Sequence, residues 1–423
     1  MSIQELYKIF EKYPIVSTDS RNIPENSIFF ALKGGNFNGN EYAQGALDKG
    51  AKYSIVDEKK YATQENIILV DDVLKTLQDL ASYHRDQLTI PVIGITGTNG
   101  KTTSKELMRE ALSAKYKVFA TEGNFNNHIG VPLSPLSIKN THEIAIIEMG
   151  ANHEGEIAFL CNIAKPSHGI ITNVGKAHLE GFGSFEGVVR TKSELYYYLL
   201  KNNGEVFVNA SDEHLMRMAS RFDKIITYGG GSNDLLKTEL LGLNPFVDFQ
   251  VENNQYTSHM LGEYNFSNIS ASLNIAHYFN VDTTEACKKI EEYKPANNRS
   301  EIKKIGDNTI ILDAYNANPT SMEAAINSFA KMKAENKILI LGDMFELGEV
   351  EKEEHQNIVS LCQKHGFNTV FLCGEAFSNT ENKNYNTSVD VEELGKNFSL
   401  KNITDTLILV KGSRGMKLET LFN

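Results

Sequence analysis

Residues 92–103 read Val92-Ile-Gly-Ile-Thr-Gly-Thr-Asn-Gly-Lys-Thr-Thr103, an apolar strand pattern that runs into a glycine-rich loop, and a helical pattern follows over 104–113. This order of strand, loop and helix is the context of a phosphate-binding site. Backbone N–H groups of the loop converge on phosphate oxygens, and the helix N-terminus adds positive potential. In such a site Lys101 reaches the terminal phosphates and Thr102 offers its hydroxyl to Mg2+. The stretch therefore predicts a loop that binds a nucleotide.

The loop departs from the strict pattern GxxxxGK[ST], because Ile95 stands where the first glycine belongs. An ordinary glycine turn that caps a helix is the alternative, and the complete strand, loop and helix context favours the phosphate loop. A phosphate loop fits a kinase, a GTPase switch or a ligase. The guanine-reading pattern NKxD is absent, since neither Asn336-Lys337 nor Asn382-Lys383 continues in that way. The GTPase alternative is therefore weakened.

Beyond the loop, short apolar runs alternate with helical patterns from residue 91 to about residue 230. This alternation is typical of a parallel sheet with helices on both faces. The predicted strands are 92–96, 144–149, 169–173, 205–208 and 224–228. A second alternation follows the break at Pro295, with predicted strands at 309–312, 337–341, 369–373 and 406–410.

The other segments complete an α/β chain. Residues up to about 90 form a small α/β pattern, with apolar runs at 27–32, 53–56 and 67–70 and an amphipathic stretch at 72–85. Residues 235–261 indicate antiparallel strands, and 266–279 a helix. We find no internal repeat and no low-complexity linker. We therefore predict three domains joined by short hinges, at 1–90, 91–297 and 298–423.

Composition limits the classes of function. The 423 residues allow two to four domains, and the 41% hydrophobic content is enough for each to have its own core. The net charge of −12 repels nucleic acid and anionic membrane, so an anionic ligand needs a local site. The four cysteines form no CxxC pair, the first residues lack a signal-peptide pattern, and no apolar run approaches a membrane span. We therefore expect a cytoplasmic location.

Three further residues are candidates for a metal site. Glu148 ends an apolar strand, where a carboxylate facing the phosphate loop is suited to hold Mg2+, although a glutamate here can also serve a helix cap. His178 follows another strand end, and its alternative is a hydrogen-bonded structural role. Lys192 lies in an amphipathic stretch at 188–200, where a solvated lysine is the ordinary interpretation. The residues alone leave these alternatives open.

The motifs of the chain, in their order and spacing from about residue 18 to 418, resemble the Mur ligase family. In the first two thirds they are Gly97-Thr-Asn-Gly-Lys-Thr102, Thr121-Glu-Gly-Asn-Phe-Asn-Asn127, Glu148-Met-Gly-Ala-Asn152, Ala177-His-Leu-Glu-Gly-Phe-Gly183 and Lys192-Ser-Glu194. In the last third Asp313-Ala-Tyr-Asn-Ala-Asn-Pro319, Leu341-Gly-Asp-Met-Phe-Glu-Leu-Gly348 and Lys411-Gly-Ser-Arg-Gly-Met416 resemble the family member that adds D-alanyl-D-alanine.

The resemblance implies an N-terminal domain that binds a UDP-MurNAc-peptide, a central ATP-binding domain with a mainly parallel sheet, and a Rossmann-like C-terminal domain. The implied activity is ATP-dependent amide ligation, which joins D-alanyl-D-alanine to UDP-N-acetylmuramoyl-tripeptide through an acyl phosphate. The product is the UDP-MurNAc-pentapeptide precursor of peptidoglycan, which places the chain in cell wall biogenesis, cell shape, cell division and the cell cycle. Its partners are then small molecules and not nucleic acid, and we expect a monomer.

Site residues follow from the resemblance position by position. ATP contacts are implied for Gly97, Thr98, Asn99, Gly100, Lys101, Thr102, Thr103, Asn265, Asn268, Arg299 and Asp313. Substrate contacts are implied for Ser20, Arg21, Asn124, Asn126, Asn127, Tyr315, Asn316, Asn318, Lys411, Ser413 and Arg414. Catalytic roles are implied for Lys101, His178, Lys192 and Arg299. Two Mg2+ ions are expected, with Thr102, Glu148, His178 and a carbamylated Lys192 as ligands.

The chain departs from the family pattern in places. Asn38-Gly-Asn40 stands where many relatives have Asp-Gly-His, Tyr264 replaces a frequent His, and Asn298 replaces a common Gly before Arg299. The Asp-Asn-Pro-Arg signature of the relative that adds the third peptide residue is absent. That tripeptide-forming ligase, or a folylpolyglutamate-synthase-like ligase, is the alternative enzyme. An ATP-dependent regulatory module is the alternative outside catalysis.

Overall fold

The computed structural model describes residues 1–230, 233–243, 245–296, 298–382 and 385–422, with Asn402 described only through its backbone. The first domain is built on a parallel sheet. Its elements are α1 (Ile3–Lys12), β1 (Val16–Ser17), β2 (Ile28–Phe30), β3 (Lys33–Gly34), β4 (Phe37–Asn38), α2 (Ala43–Asp48), β5 (Tyr53–Val56), β6 (Ile67–Leu69) and α3 (Val73–Gln87). The strand order is β1-β2-β5-β6, and β3 and β4 form a separate antiparallel pair.

Local sequence explains where these helices begin. Ser2 and Glu5 form a capping box at the start of α1, and the carboxylate of Asp72 accepts from the backbone N of Lys75 at the start of α3. Helix α3 also attaches the first domain to the rest of the chain. The Arg85 guanidinium donates to the carbonyl oxygens of Ala164 and Lys165, both at 3.1 Å.

The central domain contains a six-stranded parallel sheet in the order β12-β11-β10-β7-β9-β8. Its elements are β7 (Val92–Thr96), α4 (Lys101–Ser113), β8 (Val118–Ala120), α5 (Gly130–Leu136), β9 (Ile144–Glu148), α6 (Glu156–Ala164), β10 (His168–Ile171), α7 (Leu179–Phe182), α8 (Phe185–Lys201), β11 (Glu205–Asn209), α9 (Glu213–Met218) and β12 (Ile226–Tyr228). Consecutive strand residues face opposite cores. Ile147 packs in one core with Leu195 of α8, and Ile146 in the other with Leu107 of α4. Helices therefore cover both faces, as predicted.

An antiparallel sheet and two helices complete the central domain. They are β13 (Thr238–Leu243), β14 (Phe246–Val251), β15 (Asn254–Leu261), α10 (Glu263–Tyr278) and α11 (Thr283–Glu292). The antiparallel prediction is confirmed. The predicted helix at 266–279 begins three residues earlier, after Gly262 at φ 85°, and α11 had not been predicted as a separate helix.

The third domain is a second α/β unit with the strand order β16-β17-β21-β18-β19-β20. Its elements are β16 (Glu301–Ile305), β17 (Asn308–Asp313), α12 (Pro319–Lys331), β18 (Asn336–Gly342), α13 (Glu351–Lys364), β19 (Val370–Cys373), α14 (Glu375–Ser378), β20 (Asn386–Ser388), α15 (Val391–Asn397) and β21 (Thr406–Lys411). The four predicted strands are confirmed. Edge strand β16, antiparallel to β17, had not been predicted.

The carboxyl ends of strands from two sheets meet at one place. Strands β7 and β9 of the central sheet end at Thr96 and Glu148, and β17 and β21 of the third domain end at Asp313 and Lys411. Open α/β sheets bind ligands at this edge. The α/β class and the three-domain architecture are thus confirmed, while the boundaries after residues 90 and 297 stay predictions. None of the helices in the described ranges is both long and apolar enough to cross a membrane.

Candidate active site

The glycine loop between β7 and α4 has the geometry of a phosphate cradle. Gly97 has φ 144°, and a Cβ there would lie 2.0 Å from Thr172 Oγ1. Gly100 has φ 79°, and a Cβ there would lie 2.9 Å from Asn268 Oδ1. Both positions therefore require glycine. Lys101 begins α4, and its Nζ donates to the Gly97 carbonyl at 2.7 Å.

Glu148 lies beside this loop and is almost completely buried. Its carboxylate accepts from Thr102 Oγ1 at 3.0 Å and from Asn126 Nδ2 at 2.9 Å. The structure thus brings together a strand-end carboxylate, a hydroxyl from the start of α4 and an amide of the loop after β8. The helix-cap alternative for Glu148 is not supported by these contacts.

Lys105, which had not been predicted as a site residue, contacts the same cluster. Its side chain is fully buried, 3.8 Å from Glu148 Oε2 and 3.1 Å from Glu106 Oε1. Its Nζ also donates to the carbonyl oxygen of Thr121 at 2.5 Å. Lys105 therefore fixes the loop that carries Asn124, Asn126 and Asn127 against α4. The available signal was its position one helical turn after Lys101.

Lys192 is buried and chemically unusual. The residue is 2% exposed, and its Nζ lies 5.2 Å from the centre of the Phe182 ring. It forms no hydrogen bond or ion pair with any residue in the described ranges. Burial, and to a smaller extent the charge of Lys101, lower the pKa of Lys192 to about 7. The interpretation as a solvated lysine is therefore wrong.

His178 lies in the loop between β10 and α7, and one of its ring nitrogens contacts the third domain. Its Nδ1 is in hydrogen-bonding contact with Glu346 Oε2. Burial lowers the pKa of His178, the Glu346 carboxylate raises it, and the charges of Lys101 and Lys192 lower it. The net effect is a lowered pKa, with burial as the largest cause.

The third domain contributes a partly buried ion pair. Asp313 Oδ2 accepts from Lys411 Nζ at 2.6 Å, and Asp313 Oδ1 accepts from the backbone N of Ser300 at 3.2 Å. The same Lys411 Nζ lies 3.4 Å from the carbonyl oxygen of Asn316. The pair connects the ends of β17 and β21 on the side facing the phosphate loop.

Two arginines share one aromatic ring in this domain. The guanidinium carbon of Arg299 lies 3.6 Å from the centre of the Tyr315 ring, and that of Arg414 lies 5.1 Å from it. Cation–π attraction of this kind holds a guanidinium while leaving its N–H donors available. Tyr315 therefore orients Arg299, and the Arg299 charge reaches far enough to lower the pKa of Lys101, although burial is the larger cause.

Side chains also join the central and third domains directly. The amides of Asn99 and Asn318 exchange hydrogen bonds of 2.8 and 3.3 Å. Lys176 Nζ lies 2.6 Å from Glu354 Oε1. The phosphate loop therefore touches the N-terminus of α12 in this structure.

A cavity of about 890 Å³ lies between these domains. Eighteen of the sequence-predicted site residues line it: Thr98, Asn99, Gly100, Lys101, Thr102, Thr103, Asn124, Asn126, Asn127, Glu148, His178, Asn265, Asn268, Arg299, Asp313, Tyr315, Asn316 and Lys411. Further lining residues had not been predicted as site residues, among them Phe159, Asn173, Tyr264, Ser300 and Thr320. Several of these stand within quoted motifs or beside them in the sequence.

The remaining predicted residues lie outside the cavity lining. Gly97, Lys192, Asn318, Ser413 and Arg414 are not among its lining residues. Ser413 Oγ accepts from the backbone N of Phe345. Ser20 and Arg21 lie in the first domain, where the Arg21 side chain pairs with Asp19. In the same domain Asn40 is fully buried and bonded to Asn38 and Asp57, so an asparagine fits this family position.

The donor set of the cavity fits a hard cation that also has phosphate ligands. Within the described residues, no three His, Cys, Asp or Glu side chains converge on one point as a complete metal cage. Thr102 and Glu148 nevertheless present hard oxygen donors at the end of the loop. Mg2+ is typically held by one or two carboxylates together with substrate phosphates and water.

A phosphate loop on a parallel sheet, closed by basic residues from a separate Rossmann-like domain, defines an ATP-dependent enzyme of the ligase class. Family models match three parts of the chain: the "Mur ligase family, catalytic domain" at 12–85, the "Mur ligase middle domain" at 95–276 and the "Mur ligase, glutamate ligase domain" at 298–414. The chain is 35% identical over 424 residues to UDP-N-acetylmuramoyl-tripeptide--D-alanyl-D-alanine ligase of Bacillus subtilis (strain 168), which covers 96% of this chain and 92% of the relative. It therefore belongs to the Mur ligase family.

Solved structures agree with this assignment. MurF from Acinetobacter baumannii matches with a TM-score of 0.84 and 27% identity, over 99% of this chain and 97% of that one. MurF ligase from Thermotoga maritima in complex with ADP matches with a TM-score of 0.84 and 28% identity, over 96% of each chain.

Proposed function

We propose that this chain joins D-alanyl-D-alanine to UDP-N-acetylmuramoyl-tripeptide with cleavage of ATP to ADP and phosphate. The observation that carries the proposal is that the phosphate loop and Glu148 of one domain line the same cavity as Arg299 and Lys411 of another. Such a site can hold several anions together. The names of the curated relatives favour this ligase over the tripeptide-forming and folylpolyglutamate-synthase-like alternatives.

The chemistry requires activation of a carboxylate. An amine and a carboxylate form a salt at neutral pH, because the carboxylate has no leaving group. Transfer of the ATP γ-phosphoryl group breaks its bond to ADP and forms a P–O bond to the carboxylate of the tripeptide. The amine of D-alanyl-D-alanine then attacks the carbonyl carbon, loses a proton, and inorganic phosphate leaves as the C–N bond forms.

Residues of this chain position and neutralise the reacting anions. Lys101 and the N-terminus of α4 hold the transferring phosphoryl group, and Arg299, fixed on Tyr315, faces it from the third domain. Thr102, Glu148 and His178 would hold Mg2+, which supplies further charge neutralisation at the phosphates. Asn126 and Lys105 keep Glu148 in place. Closure of the third domain excludes water from the acyl phosphate.

Carbamylation of Lys192 belongs to this proposal. A pKa of about 7 leaves much of the amine neutral at physiological pH. The neutral amine attacks carbon dioxide, an N–C bond forms as one C=O π bond breaks, and a proton is released. The product replaces a positive charge by a negative one and provides two hard oxygens of the kind that Mg2+ prefers. Within the described residues Nζ has no hydrogen-bond or ion-pair partner, and this supports the assignment.

Dependence of ATP consumption on both substrates tests the function. Phosphate release should require UDP-N-acetylmuramoyl-tripeptide and D-alanyl-D-alanine together, and mass spectrometry should show the pentapeptide product. Release that does not respond to the dipeptide would instead support the regulatory alternative.

The use of ATP also fits the predicted cytoplasmic location. Light scattering of the purified chain tests the predicted monomer.

A further inference from the structure

One contact between the domains falls on a proposed metal ligand. His178 belongs to the central domain and Glu346 to the loop after β18 of the third domain. Besides the contact of His178 Nδ1 with Glu346 Oε2, the backbone N of Glu180 donates to the carbonyl oxygen of Glu346 at 3.3 Å. Side chain and backbone contacts thus join the start of α7 to the loop after β18.

Both residues of this contact hold an unusual backbone conformation. His178 has φ 50° and Glu346 has φ 61°, in the left-handed region that residues other than glycine adopt infrequently. Such conformations persist where the surrounding structure determines them, and they concentrate at functional sites.

The loop that presents Glu346 is fixed from three sides. The Asp343 carboxylate accepts from the backbone N of Ala376 and Phe377 at 2.9 and 3.0 Å. The next two backbone N–H groups are also bonded, from Met344 to His355 Nε2 at 3.0 Å and from Phe345 to Ser413 Oγ at 3.2 Å. Glu346 is therefore held in position by its own domain.

This arrangement determines how the His178 ring is used. A carboxylate only accepts hydrogen bonds, so Nδ1 carries a proton and the lone pair of a neutral ring lies on Nε2. No residue in the described ranges bonds to Nε2, and His178 lines the cavity. Histidine ligands of metals commonly donate their other N–H to a carboxylate, which fixes the tautomer and the ring orientation.

We propose that Glu346 is a positioning residue that orients His178 as a metal ligand, and that it does so only while the third domain is closed on the central domain. The proposal rests on the proposed function, in which His178 holds Mg2+. The metal site would then be complete only when the third domain is closed on the central domain, because the carboxylate that orients His178 belongs to the third domain.

Binding of Mn2+, a spectroscopic substitute for Mg2+, tests this inference without catalysis. Electron paramagnetic resonance would measure free Mn2+ in titrations of the ADP-bound full chain. Glu346→Ala and His178→Ala are each expected to weaken Mn2+ binding about tenfold or more. The double variant should bind no more weakly than His178→Ala, because Glu346 acts through that ring. Glu349→Ala, which removes an exposed acid in the same segment, should bind as the wild type does.

The outcomes separate this inference from the proposed function. Normal binding by Glu346→Ala with weak binding by His178→Ala would overturn the positioning role alone. Normal binding by His178→Ala would overturn its role as a ligand, and the inference with it. Additive losses in the double variant would show that Glu346 acts independently of His178. Glu346→Gln keeps an acceptor oxygen, so its affinity for Mn2+ should fall less than that of Glu346→Ala. If the alanine variant misfolds, Glu346→Gln takes its place in the comparison.

Discussion

At the scale of single residues, Lys101 brings its ammonium group to the phosphate loop, where Nζ donates to the carbonyl oxygen of Gly97. Lys101→Ala should lower ligation more than tenfold, a barrier increase of about 1.4 kcal/mol or more, because charge on the transferring phosphoryl group is no longer offset. Turnover with both substrates measures the loss, and circular dichroism should show an intact fold. The exposed Lys139→Ala is the control. Retention of more than about a tenth of wild-type turnover would contradict the assignment.

Lys192 is predicted to need a covalent change before it can serve the metal site. At pH 7 an ordinary lysine is neutral in roughly one molecule in 2,500, whereas Lys192, with a pKa of about 7, is neutral in a large fraction. Because the folded-state pKa is lowered, the neutral fraction falls as pH drops below about 7, and carbamate formation falls with it. Activity in low-carbonate buffer should therefore decline from pH 8 to pH 6.

Substitution of Lys192 distinguishes a carbamate that serves the metal site from a purely structural role of the side chain. Lys192→Ala should abolish most turnover, and acetate or formate should restore part of it by placing a carboxylate near the vacated position. Lys201→Ala, on the exposed face of the same helix, should leave activity and its pH dependence unchanged. Near-normal turnover of Lys192→Ala in carbon-dioxide-depleted buffer would show that the carbamate is not needed.

At the scale of elements, the start of α12 depends on the N-cap residue that precedes it. Asn318 caps this helix through the backbone N of Ser321 and also bonds to Asn99. Asn318→Ala should lower the free energy of unfolding by about 0.5–2 kcal/mol, measured by urea denaturation. Asn318→Asp, which keeps a capping oxygen, should remain close to wild type. Equal losses in both variants would mean that the pair with Asn99, rather than the cap, stabilises the helix.

At the scale of the whole molecule, contacts between the central and third domains describe a closed arrangement. Asn99 with Asn318 and Lys176 with Glu354 join the domains around the cavity. An ATP analogue with UDP-tripeptide should shift the ensemble further towards this form, since ligands bind groups of both domains. Small-angle scattering should then show a smaller radius of gyration. An unchanged radius would indicate that the third domain is fixed in place.

Much of this molecule was predictable because its signals are local. Apolar runs of strand length predicted β5 and β7 with their observed bounds. The glycine loop was recognisable because Gly97 and Gly100 occupy positions whose backbone conformation and close contacts only glycine tolerates. Helix ends were less accurate. The start of α10 depends on Gly262, and α11 had not been separated from the segment before Pro295.

The sequence by itself determined the α/β alternation, the phosphate loop and the family motifs, since each resides in a short run of neighbouring residues. Only the tertiary structure decided which side chains meet across the cavity. Glu346 contacts His178 across 168 positions, and Asn318 contacts Asn99 across 219 positions. Such pairings leave no trace in local periodicity, because they arise from the packing of two separate sheets whose strand ends converge at one site.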